Sequence, residues 1–331
     1  MKLMSVLCCM FFGSAGLAQP PDFSQIVDDH IVAGFQTLAE TSLVLAEAAK
    51  SDCTATDPRL RMAYHTAFDA WIGVSHLRFG PSEANDRAFA LAFWPDTRGA
   101  TPKALHALIR VQDPAVVAPE EFASVSIAAR GFYALELLLY DPVFAGPGAA
   151  DYHCALVQAI TRDISANALA ILSDWQGVYG DEMRTPGAGD IYRTRAEVAR
   201  QLFTSLTTGL QFTSETRLGR PMGTFDRPRP NRAEARRSKR SLRHIVLSLR
   251  ATRDLSRRLS SGDPQIDASF AQALDRAKAL NDPMLAGVSD PVERFRIEAL
   301  RQSVDNIRTR IAAILGPDLG VAAGFNSQDG D

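Results

Sequence analysis

Apolar residues recur at steps of three and four along most of this chain, the spacing that places them on one face of an α-helix. The clearest stripe covers 291–315, where Ile297, Leu300, Val304, Ile307, Ile311 and Ile314 form a seam of the kind that packs helix bundles. Comparable stripes cover 26–49, 60–77, 125–139, 152–175, 195–212 and 233–259, with a shorter one at 266–280. Strand-like alternation of Val, Ile and Thr is almost missing, so the pattern predicts an all-α protein. The stripes are separated by turn chemistry: FGPSEAN, DPAVVAPEE, DPVFAGPGAAD, RTPGAGD, GDPQ and NDPM. The Gly/Pro-rich RTPGAGD is the natural boundary between two bundle-like helical halves packed together, residues 19–184 and 190–331. Two stretches lack periodicity. One, 79–101, is far longer than a bundle turn requires, and long ordered connections tend to line sites. The other is the tail LGVAAGFNSQDGD.

The first residues change the picture of where the chain works. Lys2, an apolar run over 3–12 and small residues up to Ala18 read as a secretory signal peptide over 1–18, too short to span a bilayer. No small residue directly precedes Cys8 or Cys9, as lipoprotein processing would require, and no later run approaches a transmembrane length; the expectation is a soluble, periplasmic or otherwise exported product. Cys53 and Cys154 then remain in an oxidising compartment, where they are expected to pair as a disulfide rather than lie as two buried thiols.

Charge is close to balanced, at −2, yet unevenly spread: positions 227–258 hold twelve Lys or Arg against Glu234 and Asp254. No aromatic residue interrupts this run to stack on bases, and an exported protein meets little nucleic acid, so no nucleic-acid partner is expected. Two roles stay open: pairing with acidic partner helices, or presenting Arg236, Arg237 and Ser238 to a carboxylate, phosphate or haem propionate.

The stretch GFYALELLLY places one carboxylate, Glu136, in an otherwise apolar helical run, three residues after Tyr133 and so on the same face. Burying that charge without a partner would cost several kcal/mol. Phenol and carboxylate together suit a hard cation such as ferric iron, and tyrosinate also ligates haem iron. The same spacing suits a buried Glu136 hydrogen-bonded by Tyr133 or an arginine. His65 and Asp69, at i and i+4, have the same two readings, shared cation or structural hydrogen bond. His76 comes just before FGP, near the candidate site; His30, His106, His153 and His244 are isolated and read as packing or surface. HExxH, GxSxG, P-loop, CxxCH and dinucleotide fingerprints are all missing, which leaves covalent catalysis without a nucleophile.

Four separated pieces, Trp71 with HLRFGP, FWPDTRG, GFYALELLL, and ARRSKRSL with the closing GFNSQDGD, together resemble the imelysin family, also called the M75 peptidase family, which includes iron-regulated extracytoplasmic proteins. The resemblance implies two helical halves with the motif residues at their junction, and an ordered tail that brings Asn326 and Asp329 towards Glu136. Together with the oxygen-bearing face of Tyr133 and Glu136 it points to a ligand cleft lined by Trp94, Asp96, Gly131, Tyr133, Glu136, Arg236 and Ser238, with Glu136 the anionic anchor and Tyr133 a hydrogen-bond donor or, once deprotonated, a ferric ligand. The expected ligand is iron, an iron chelate or haem, and the expected partners are iron-uptake components of the cell envelope. The family signature is GxHxxE; here Gly131 and Glu136 match, but Tyr133 stands at the histidine position. The alternatives are a metal-dependent M75-type peptidase with Glu136 as general base, for which no adequate ligand set is visible, and a non-catalytic interaction scaffold.

Overall fold

Aspartate followed by proline starts the long helices. Asp57, Asp263 and Asp290 each accept an N–H of the first helical turn on the side-chain carboxylate while Pro58, Pro264 or Pro291 occupies the first helical position. The carboxylate satisfies an orphan amide and the ring pre-sets φ. A computed structural model describes residues 20–145 and 150–321. The signal-peptide reading of 1–18 and the tail residues Asn326 and Asp329 lie outside the described residues.

The helices are α1 (Phe23–Ile26), α2 (Ala33–Ser51), α3 (Pro58–Val74), α4 (Arg87–Leu91), α5 (Ala100–Val111), α6 (Pro119–Phe122) and α7 (Gly131–Tyr140). They continue with α8 (Ala150–Gln176), α9 (Val178–Arg184), α10 (Arg195–Gln211), α11 (Gly219–Met222), α12 (Ser241–Leu259), α13 (Pro264–Leu280) and α14 (Pro291–Asp318). The described residues form no β-sheet; one isolated bridge joins Thr224 and Arg227. The all-α expectation therefore holds. Helix α2 lies against α3 and α8, α7 against α8, and, later in the chain, α12 packs on α10 and α13, and α14 on α10 and α13. Contact between α3 and α12 joins the earlier helices to the later ones. Two π-helical segments interrupt the regular helices, Val27–Val32 before α2 and Phe212–Leu218 after α10. Such wide turns re-aim side chains and gather at functional sites.

Cys53, just after α2, is bonded to Cys154 of α8 across 101 residues, as expected. Three other expectations need correction. The 125–139 stripe becomes α-helical only at Gly131, after a 3-10 turn at Ile127–Ala129, and the 233–259 stripe only at Ser241, because Ala235 and Lys239 take left-handed backbone angles that break the helix. And one run does reach transmembrane length: 151–176 of α8 is long and apolar enough by length and composition, but Leu156, Ile160, Ile164, Ile171 and Trp175 spend its apolar surface on the core.

Candidate functional site

Every residue from Gly131 to Leu139 of α7 is buried, so Glu136 can be tolerated only with partners. Gly131 fixes how deeply the helix sits. Its φ is +73° and a Cβ there would meet the Ala90 carbonyl oxygen at 2.2 Å, so no side chain fits between α7 and the end of α4. Opposite Glu136, the turn over 233–240 bends through Ala235 and Lys239 and turns Ser238 inwards. The Ser238 amide and hydroxyl both donate to Glu136 Oε1, at 2.8 Å each. Burial pushes the Glu136 carboxyl above its ordinary value, against the pull of Ser238 and Arg237. Among the described residues no hydrogen bond reaches Oε2, and Glu136 contributes to a cavity wall.

Tyr133 and Glu136 have different hydrogen-bond partners. Its hydroxyl donates to Glu234 Oε1, and Glu234 Oε2 accepts from Arg217 Nε at 2.7 Å. The other guanidinium nitrogens reach Ser248 Oγ at 3.2 Å, Ser75 Oγ at 3.3 Å and Thr213 Oγ1 at 3.4 Å. His244 Nδ1 stands 3.3 Å from Glu234 Oε2, without hydrogen-bond alignment. Burial would raise the Glu234 carboxyl, but Arg217, then His244 and the Tyr133 hydrogen bond, overcome it and hold the group at about 2. Burial and then the Glu234 charge push the Tyr133 phenol far up, so it stays a protonated donor. Neither Glu234 nor Arg217 was singled out from the sequence. Glu234 was visible only as a lone acid in the basic run, and Arg217 is aimed inwards by the π-helical segment.

A cavity of about 230 Å³ lies over Glu136, walled by Trp94, Asp96, Tyr133, Arg220, Arg232 and Arg237. Trp94 and Asp96 of this wall come from the connection over 79–101. Asp96 accepts the amides of Ala100 and Thr101 at 2.8 Å; these and the Arg98 amide outweigh its burial and lower its carboxyl, so it organises the loop into α5. Arg236 is not brought to the wall: its Nε donates to the Asn231 carbonyl at 3.2 Å, and Arg220, Arg232 and Arg237 stand there instead. Arg237 is paired with Asp141 at 2.6 Å. Arg220 differs. Its guanidinium sits 5.9 Å from the centre of the Trp94 ring, its Nε is buried without an acceptor, and among the described residues it has no carboxylate partner. Burial and then Arg232 lower its affinity for its proton.

Elsewhere the basic run does pair with acids: Arg240 and Arg243 with Asp69, Arg253 and Arg257 with Asp267. His65 and Asp69 consequently face different partners, His65 Nε2 lying 2.8 Å from the Tyr140 hydroxyl. Among the described residues no three His, Cys, Asp or Glu side chains come together as a metal would require.

The family model for Imelysin (Peptidase_M75) matches residues 31–311. This chain belongs to the imelysin family. The imelysin fold is shared with an imelysin-like protein from Psychrobacter arcticum 273-4, with a TM-score of 0.75, 19% identity and coverage of 92% of this chain and 96% of that one. It is shared also with a protein described as an iron-regulated protein A precursor from Parabacteroides distasonis ATCC 8503, with a TM-score of 0.74, 11% identity and coverage of 92% and 97%. No curated protein matches significantly. Within the matched residues, Gly131, Tyr133 and Glu136 are a close-approach glycine, a phenol committed to Glu234, and a carboxylate held by Ser238.

Proposed function

We propose that this imelysin is an exported binding protein of iron acquisition, and that the cavity over Glu136 takes a small carboxylate-bearing iron chelate. The observation that carries this reading is Arg220: a guanidinium with a buried, unaccepted Nε, standing over Trp94 beside Arg232 and lacking a carboxylate of its own. Guanidinium forks bind carboxylates strongly and with defined geometry. A bare ferric ion fits these residues poorly, because the Tyr133 phenol is held protonated by Glu234 and Glu136 supplies a single open oxygen. A chelate that brings its own oxygen ligands asks only for anion recognition and one acceptor, and Glu136 Oε2 is that acceptor. The iron-regulated description of a structural relative and the disulfide are in keeping with this role outside the cytoplasm.

The test is calorimetric titration of the purified protein with ferric citrate, with haemin as a second probe. The wild type is expected to bind ferric citrate, and Arg220→Gln to weaken it roughly tenfold or more, the worth of a charge-assisted hydrogen bond. No binding of ferric citrate by the wild type, or equal binding by Arg220→Gln, would overturn the reading.

A further inference from the structure

Trp94 and Tyr133 also border a second cavity, of about 320 Å³, whose apolar walls are Trp71, Trp94, Tyr133 and Phe212 and whose lining includes His76. The rings of Trp94 and Phe212 meet edge to face with centres 5.7 Å apart. Arg217 and Glu234 also border this space, but they are committed to one another.

His76 has a polar atom left over. It is 4% exposed, and its Nδ1 is buried with no partner among the described residues. Its Nε2 stands 3.0 Å from His30 Nε2, and His30 Nδ1 stands 2.7 Å from Asp254 Oδ2. The hydrogen bond from His30, helped by Arg258, holds the Asp254 carboxyl down at about 2, so Asp254 is an anion and can only accept. The proton of that contact therefore belongs to His30 Nδ1. Burial holds the His76 ring neutral, and in the tautomer whose inter-ring proton sits on His76 Nε2, facing a His30 Nε2 lone pair, His76 Nδ1 is a bare acceptor.

The position is built, not incidental. Ser205 Oγ donates to the His76 carbonyl at 2.7 Å, and Gly209 lets α10 close on the ring, since a Cβ there would fall 2.6 Å from His76 Cβ. His30 is carried by the π-helical segment Val27–Val32. A buried acceptor without a donor is costly, and a cavity with four aromatic walls favours a flat apolar body as its occupant.

We propose that this cavity binds a small planar aromatic molecule bearing an N–H donor, which sits among Trp71, Trp94 and Phe212 and donates to His76 Nδ1. Asp254 and His30 act as positioning residues that set the His76 tautomer. This cavity shares Trp94 and Tyr133 with the arginine-lined one, and the proposal stands independently of that cavity's ligand.

The experiment uses the full mature chain and two probes of one shape, indole and indene, of which only indole has an N–H. Wild-type protein is expected to bind indole roughly tenfold more tightly than indene, the worth of a hydrogen bond to an otherwise unpaired acceptor. Long-range ¹H–¹⁵N spectra are expected to show His76 protonated at Nε2, with its Nδ1 resonance moving on addition of indole. Asp254→Ala, at the half-exposed end of the array, is expected to shift the His76 tautomer balance and shrink the preference while both probes still bind. His76→Phe should abolish the preference, and the spectra and Asp254→Ala carry the test should that variant fail to fold. Equal affinity for the two probes, binding of neither (a site for water only), or a proton on His76 Nδ1 in the free protein would overturn the proposal.

Discussion

Replacing Glu234 by glutamine probes the buried network directly, because it keeps the shape and removes only the charge. Glutamine can still accept from Arg217 and face the Tyr133 hydroxyl, yet the guanidinium, 3% exposed, is left without its counter-charge. The carboxyl is held at about 2 against an ordinary 4.5, which corresponds to about 3 kcal/mol. Breaking a buried pair by removing one partner costs about 3 to 5 kcal/mol, so two routes agree. The group is depressed in the folded state, so its contribution is complete above pH 4.5 and is lost as the pH falls towards 2. Urea denaturation followed by circular dichroism should therefore find Glu234→Gln about 3 kcal/mol less stable at pH 7. The gap should shrink to less than half of that, roughly 1 kcal/mol, at pH 3. A gap below about 1 kcal/mol at neutral pH, or one that does not narrow in acid, would refute the account of Glu234 as an ionised anchor.

Two further outcomes follow from the packing. Gly131→Ala must place a Cβ against the Ala90 and Leu91 carbonyls at a positive φ, so it should cost more than about 3 kcal/mol in the same denaturation experiment or fail to accumulate as folded protein. Cys53→Ser should lower stability by roughly 2 to 5 kcal/mol for a closed loop of this length, and a reducing agent should bring the wild type down to the variant's level.

The long helices were legible because burial imposes its period on the sequence: the seam from Ile297 to Ile311 of α14 is buried as its spacing required. Periodicity failed where the chain departs from a helix for a purpose. The stripe at 233–240 has helical spacing, yet left-handed turns at Ala235 and Lys239 fold it around Glu136 and deliver Ser238 and Glu234 to different partners. The carboxylate in the apolar run of α7 signalled that a partner must exist, but not which one, since Ser238 is 102 residues away. Arg220 looked like any surface arginine because the sequence does not show that its acid is missing. The link from His30 to His76 and Asp254 was hidden for a related reason: its partners lie 46 and 224 residues from it, on segments joined only by tertiary packing.

Trp94 and Tyr133, stacked with ring centres 6.0 Å apart, line both cavities. A guest in one chamber therefore leans on side chains that the other chamber also uses. If those rings have two resting places, occupancy of one cavity must alter affinity at the other by the same factor in both directions, a reciprocity imposed by thermodynamics and not by any dedicated relay.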